Sequence, residues 1–354
     1  MILSNYRQGN RLQRLILVPV CCLFLGVLTA CSEPVVEKLE GSTQGTTYHI
    51  SYWSEAAVDA KDIKDIKDRI ENELADIDKL LSDYRPDSTI EIFNNTENTD
   101  SQEVGADIVA LVKVAKTLYQ AGQGCYDLTI KPLFDLWGFQ GDAPTVPQDS
   151  AIVTTLKQIG MDKLEVVDET HLRKKQADLK VALSSISQGY SVERLSQVLE
   201  QKGIVHYLVE IGGELKTNGY KPDLQPWRIA LERPLPEERV MHKVITMPKD
   251  APVAVMTSGT YRHYFDDHGQ RYSHVLDARN GRPVNHNLVS VTVLLDDPIQ
   301  ADAWSTMLLC LGQKEGMLAA NTAKIPALFI QLQGDELTES RSNALNTLSN
   351  LAIQ

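Results

Sequence analysis

Basic residues are scarce in this chain: 35 Lys and Arg stand against 47 Asp and Glu over 354 residues, a formal charge of −12 at pH 7. Arg7, Arg11 and Arg14 are the only charged groups before residue 31, so the remainder carries 32 bases against the same 47 acids. Sequence-independent binding of nucleic acid by phosphate neutralisation is disfavoured on that balance. Cysteine is also sparse, with five residues, no Cys-x-x-Cys and no His/Cys cluster, so a structural zinc site has no support. Long apolar runs are missing, as are internal repeats, low-complexity tracts and the glycine signature of a dinucleotide-binding turn. There is no Gly-x-Ser-x-Gly elbow and no Ser-His-Asp order, which disfavours an α/β-hydrolase. What remains is an ordinary globular composition, 43% hydrophobic and 23% charged, in a chain long enough for one large domain or two.

The three arginines precede an apolar run, Leu15 to Leu28, that is short for a bilayer span, which needs about 20 residues. It reads as a signal peptide over 1–30. Leu28-Thr29-Ala30-Cys31 matches the bacterial lipobox, so Cys31 is expected to carry lipid and to become the first residue of a membrane-tethered protein facing the periplasm. Ser32, where an aspartate usually retains a lipoprotein in the inner membrane, leaves the choice between inner and outer membrane open. Cys21 and Cys22 leave with the peptide. Cys125 and Cys310 remain, and an oxidising compartment permits a disulfide between them without their spacing requiring one.

Residues 31–40 read as a tether, with the folded body starting near Lys38. Thr46–Trp53 alternates as a strand. Ile63, Ile66, Ile70, Leu74, Ile77 and Leu81 recur at three and four, predicting an amphipathic helix over 60–82. Further helices are expected at about 105–121, 149–159 and 189–201, with strand-like runs at 164–167 and 180–183. Strands are expected at Tyr207–Ile211, Trp227–Glu232, Val253–Met256, Ser273–Leu276, Val289–Leu295 and Ala327–Gln331, and a helix from Ala301. The tail 336–354 reads as a weak terminal helix. Strands and helices without a repeated βαβ unit favour an α+β fold, antiparallel-rich with flanking helices.

Three features could carry chemistry. Asp302 and Thr306 sit four apart at a helix start and share a face, two hard oxygen donors suited to Mg²⁺ or Ca²⁺; the bland alternative is a carboxylate offsetting the helix dipole. His274 ends a strand before the Asn280-Gly281 turn and could act as a base near neutral pH, or serve as a structural histidine. His263, His268 and His286 read as solvated loop residues. Glycine-rich turns at Gly212-Gly213, Ser258-Gly259-Thr260 and Ser184–Gly189 could present N–H groups to phosphate.

Nine motifs in order give these fragments a common meaning. They are Gly45-Thr46-Thr47-Tyr48, Leu81–Ser88 (Leu-Ser-Asp-Tyr-Arg-Pro-Asp-Ser), Tyr126-Asp127-Leu128-Thr129 leading to Leu136-Trp137-Gly138-Phe139, and Leu183-Ser184-Ser185-Ile186 with Gly189-Tyr190. Ile211-Gly212-Gly213-Glu214, Trp227–Pro234, Thr257–Arg262, Ser273-His274 with Asp277, and Ala301–Thr306 follow. From Gly41 to Gly312 the chain thus resembles the ApbE family of FAD:protein FMN transferases. The resemblance implies a catalytic region over 41–335 that uses Mg²⁺ to split the FAD pyrophosphate. FMN would join a threonine or serine hydroxyl of an acceptor protein, such as a subunit of an Rnf- or Nqr-type complex, with release of AMP.

Carried over by position, Ser185, Asp302 and Thr306 would hold the metal, and His274 would take the acceptor proton. Gln44, Tyr84, Cys125, Tyr126, Asp127, Ala182, Gln188 and Leu276 would line the FAD site. Three positions depart from the family: Gln44 replaces a common Met, Ala182 an aspartate and Gln188 a Lys or Glu. Hydrolysis of FAD to FMN and AMP, or flavin binding without turnover, are the alternatives these departures raise.

Overall fold

A computed structural model describes residues 35–55, 59–139, 141, 144–236 and 240–354. The signal segment and Cys31 lie outside the described residues. Eight strands form the main sheet: β1 (Glu37–Thr43), β2 (Thr46–Trp53), β3 (His206–Ile211), β4 (Glu214–Asn218), β5 (Val253–Gly259), β6 (Leu288–Leu295), β7 (Ala327–Gln333) and β8 (Glu336–Arg341). Their order across the sheet is their order in the chain, and every pair is antiparallel. The sheet is therefore one meander with helices and small sheets inserted between its strands. The α+β class expected from the sequence is the one observed.

Both faces are covered, which explains why β5, β6 and β7 read as nearly unbroken apolar runs. Successive side chains point to opposite faces. Ala254, Met256, Val291, Val293 and Phe329 enter the helical core, while Val255, Leu294, Leu328 and Ile330 pack with Trp227, Ile229, Leu231 and Ile245 of a three-stranded sheet on the other side. A third cluster gathers Leu133, Trp137, Ile152 and Leu276.

Four long helices belong to the first core: α1 (Ala60–Leu81), α2 (Ala106–Ala121), α3 (Ser187–Gln201) and α4 (Pro298–Ala323). α1 starts where Asp59 accepts hydrogen bonds from the N–H groups of Lys61 and Asp62, both at 2.8 Å. It buries Ile66, Ile70, Leu74, Ile77 and Leu81, the expected stripe, and truncating one such side chain to alanine costs about 2–5 kcal/mol. α4 starts at Pro298, three residues before the expected Ala301, because Asp297 caps it through the N–H groups of Ile299 and Gln300. Gly312, at φ 75°, breaks α4, and exposed His286 donates from Nε2 to the Leu309 carbonyl beside that break. His286 is thus more than a solvated loop residue.

Several expectations are corrected. Glu37–Glu40, read as tether, form the first half of β1, registered on Tyr52–His49. The tail is a helix only over Asn343–Thr347, where Leu345 is buried; before it β8 completes the sheet, and after it Ala352–Ile353 pairs with Thr246 and Ile245. Residues 180–183 are irregular, because the Val181 N–H goes to the Asn94 side chain and the Ala182 N–H to the Leu128 carbonyl. The expected strand Ser273–Leu276 is interrupted: one hairpin ends at Ser273 and another begins at Leu276. No helix among the described residues is long and apolar enough to cross a membrane.

Candidate active site

α3 and α4 cross closely at Gly189. A Cβ there would lie 2.4 Å from the Pro298 carbonyl oxygen and 2.7 Å from the Asp302 Cβ, so only glycine admits this approach. The Gly189 N–H, in the first turn of α3, donates to Asp302 Oδ2 at 2.8 Å. The positive end of α3 thus faces the carboxylate, a favourable arrangement for negative charge. Asp302 is also buried, and desolvation pushes its pKa up to about 7.

A second buried carboxylate, Glu214 at the start of β4, was seen in the sequence only as the end of a glycine motif. It accepts the Thr257 N–H at 2.9 and 3.2 Å, and burial together with the Asp302 charge holds its pKa well above the usual carboxylate range. Both acids take their hydrogen bonds from backbone N–H groups, and neither forms an ion pair among the described residues. Two like charges out of water without a basic neighbour are costly and favour protonation or a bound cation.

Hydroxyls complete the cluster. Ser258, next to Thr257 on β5, places Oγ 2.7 Å from Ser305 Oγ and 2.9 Å from Thr306 Oγ1. Ser185, just before α3, donates to the Tyr126 hydroxyl at 3.1 Å, and the Asp302 charge reaches that same phenol. Each of the three sequence-predicted ligands thus has its own partner: Ser185 meets Tyr126, Asp302 the Gly189 N–H, and Thr306 the Ser258 hydroxyl. Ser258 was not singled out as a site residue; its place in a Thr-Ser-Gly run at a strand end was the available signal.

His274 stands where the strand breaks. Its backbone N–H and its Nδ1–H both donate to the His263 carbonyl, at 3.0 and 2.9 Å. A carbonyl can only accept, so Nδ1 carries the proton and Nε2 presents a lone pair. Desolvation pushes the imidazole pKa down to about 4, with the neighbouring His263 ring adding to the effect, so His274 is neutral near pH 7. Thr257 and Ser258, which meet the acids and hydroxyls, and the His263 carbonyl that holds His274 lie on one stretch of chain, Thr257 to His263.

The other predicted positions form two groups. Gln44, at the tip of the β1–β2 turn, donates to Ser191 Oγ at 2.7 Å, and the Gln188 amide reaches within 2.7 Å of where a Gly212 Cβ would stand. Gln188 thus lies in the opening turn of α3 and faces Gly212, while Gln44 reaches Ser191 one turn further along the same helix. Asp127 lines a cavity of about 280 Å³ with Tyr119, Ile159, Ala278 and Arg279. Its buried carboxylate accepts from the N–H and hydroxyl of Thr129. Leu276 is buried nearby in sequence to Ala278, and Ala182 is bonded to Leu128 beside Asp127. The Cys125 sulfur is engaged in a disulfide with Cys310, so only its backbone could face a ligand. Tyr84 projects into solvent, 77% exposed.

Fold and site together define an α+β enzyme with buried hard-oxygen donors and a neutral imidazole held by the chain segment that follows Ser258. The profile of the ApbE family matches residues 44–329. A protein of Vibrio cholerae named FAD:protein FMN transferase is 36% identical over 331 residues, covering 93% of this chain and 97% of its own. One of Escherichia coli K12 with the same name is 34% identical over 305 residues, 85% of each. Among solved structures, the flavin transferase ApbE from Vibrio cholerae superposes with a TM-score of 0.80 at 34% identity over 88% of this chain and 99% of its own. The Pseudomonas stutzeri flavinyl transferase ApbE gives 0.81 at 36% identity over 90% and 98%. The chain belongs to the ApbE family.

Proposed function

We propose that this protein transfers FMN from FAD to a threonine or serine hydroxyl of an acceptor protein and releases AMP. The observation that carries the reading is the pair of buried acids, Asp302 and Glu214, with hydroxyls beside them and no basic partner. That donor set fits Mg²⁺, a hard cation bound by carboxylate and hydroxyl oxygens. Asp302, Thr306 and Ser185 would hold it, and Glu214 would add negative charge and position β5 through Thr257. Bound there, Mg²⁺ would neutralise charge developing on the phosphate oxygens.

The chain's own groups supply the rest. Nε2 of His274, bare and neutral, accepts the proton of the attacking hydroxyl. The hydroxyl oxygen bonds to the FMN phosphorus, the bond from that phosphorus to the bridging oxygen breaks, and AMP departs with that oxygen. Gln44, Gln188, Asp127 and Leu276 would contact FAD, and uncharged Ala182 and Gln188 would leave fewer charges there than is common in the family. The names of the curated relatives and the match over nearly the whole chain support transfer over simple hydrolysis.

The Leu-Thr-Ala-Cys segment supports a lipid anchor at Cys31 and a periplasmic location, in which Rnf- or Nqr-type subunits would be the acceptors. The test uses protein lacking residues 1–31, FAD, Mg²⁺ and such an acceptor domain, read by fluorescence of the denatured acceptor band and by AMP. A fluorescent band with matching AMP, both lost on chelation, is expected; AMP without a band would point to a pyrophosphatase, and FAD bound without AMP to a flavin carrier.

A further inference from the structure

Asp302, Thr306 and Cys310 are spaced by four, so they share one face of α4 ahead of the break at Gly312. Cys310 is bonded to Cys125, 185 residues away, with Cα atoms 6.1 Å apart. Cys125 immediately precedes Tyr126, whose hydroxyl meets Ser185, and Asp127, which lines the 280 Å³ cavity. The Cys125 carbonyl accepts the Ala278 N–H at 3.3 Å, and the Cys310 sulfur lies 3.8 Å from the Leu276 carbonyl. A few residues upstream, Gly122 approaches α4 so closely that a Cβ would meet Met307 Cγ at 2.8 Å. Three segments assigned to FAD or metal therefore converge on one covalent link.

We propose that the Cys125–Cys310 disulfide is a positioning element of the nucleotide site: it holds the Tyr126–Asp127 loop against the metal-binding face of α4, so that the oxidised protein is the competent form. The proposal rests on the flavin-transferase reading for the identity of the nucleotide. A link of this kind lowers the cost of ordering a loop around a ligand. Reduction by a dithiol delivers two electrons and two protons, giving two thiols on the protein and a cyclic disulfide on the reductant, and frees the loop.

A rival arrangement uses the same atoms: Cys125, Cys310 and Asp277 lie within 4.8 Å of one another and could hold a soft cation as thiolates. Asp277 is already committed, accepting from the Arg279 backbone N–H and from its Nε and Nη2 at 2.8–3.1 Å. That favours the disulfide.

The experiment measures the Kd for FAD by flavin fluorescence, and transfer activity, on the whole mature protein. Three forms are compared: oxidised, reduced by a dithiol and re-oxidised. Thiols are counted by alkylation and mass spectrometry, metal content is measured, and near-UV circular dichroism confirms that the protein stays folded. Cys310→Ala serves as a form that cannot close the link. The expected result is a Kd about tenfold weaker on reduction and recovered on re-oxidation, with Cys310→Ala equally weak and indifferent to reductant. An unchanged Kd in folded protein with two counted thiols would overturn the proposal, as would two free thiols with stoichiometric zinc in protein never exposed to reductant. Oxidised protein that binds FAD yet transfers nothing would sink the transferase reading alone, because the Kd still reports on the disulfide.

Discussion

Gly189→Ala tests whether the close crossing of α3 and α4 builds the proposed metal site. The added Cβ would lie 2.4 Å from the Pro298 oxygen and 2.9 Å from its carbonyl carbon, both backbone atoms that no side-chain rotation can move. Ordinary carbon contacts begin near 3.5 Å, so the helices must part by roughly 1 Å. Overpacking of this kind costs ~1–3 kcal/mol. The same motion stretches the Gly189 N–H bond to Asp302, and loss of a hydrogen bond to a charged group adds ~1.5–3 kcal/mol. The total of ~2.5–6 kcal/mol is a large share of a domain's stability. Urea unfolding should show a lower midpoint at an unchanged slope, and steady-state kinetics should show a raised Mg²⁺ requirement in the fraction that folds. Wild-type stability together with a wild-type Mg²⁺ requirement would refute the reasoning, since it would mean that the crossing neither touches nor orients Asp302.

Two further predictions concern protons. His274→Ala should slow FMN transfer about 10²–10⁴-fold while leaving the Kd for FAD near wild type, as expected for loss of a general base; equal losses in both would make the ring a mere pocket wall. Asp302 holds its proton more tightly folded than unfolded, with a pKa raised by burial from 3.8 to about 7, so the metal-free protein loses stability as pH rises from about 4 to about 7. Metal-free Asp302→Asn should therefore be more stable than wild type at pH 8, by at most ~4 kcal/mol, with the gap closing towards pH 4. Thermal unfolding of both without metal measures it, and a wild type equal to or more stable than the variant at pH 8 would contradict the assignment.

Helices and central strands were legible because their burial is apolar and periodic: the stripe of α1 and the strand Thr46–Trp53 emerge with their expected limits within a residue. β4 was missed for the opposite reason. Its residues Glu214, Leu215, Lys216 and Thr217 are all buried, but Glu214 joins the acid cluster and Lys216 pairs with Glu193 at 2.7 Å, so polar letters conceal an interior strand. β1 and β8 lie at the sheet edges with mostly polar, half-exposed residues, which read as tether and tail. The i, i+4 spacing of Asp302 and Thr306 was visible, and so was His274 beside a turn. The partners that give them meaning were not, since Gly189 reaches Asp302 through the crossing of α3 and α4, and Ser258 reaches Thr306, and Glu214 the Thr257 N–H, only in the folded protein. The Cys125–Cys310 link, open in the sequence, is settled by the placement of α4.

The measurement that bears most directly on the central claim is intact and peptide mass spectrometry of an acceptor domain after incubation with the protein, FAD and Mg²⁺. The account predicts a mass gain of FMN less one water, localised to a threonine or serine, with one AMP per adduct, and no adduct with Asp302→Ala. An unmodified acceptor beside FAD fully converted to FMN and AMP, or an adduct that forms undiminished with Asp302→Ala, would contradict it.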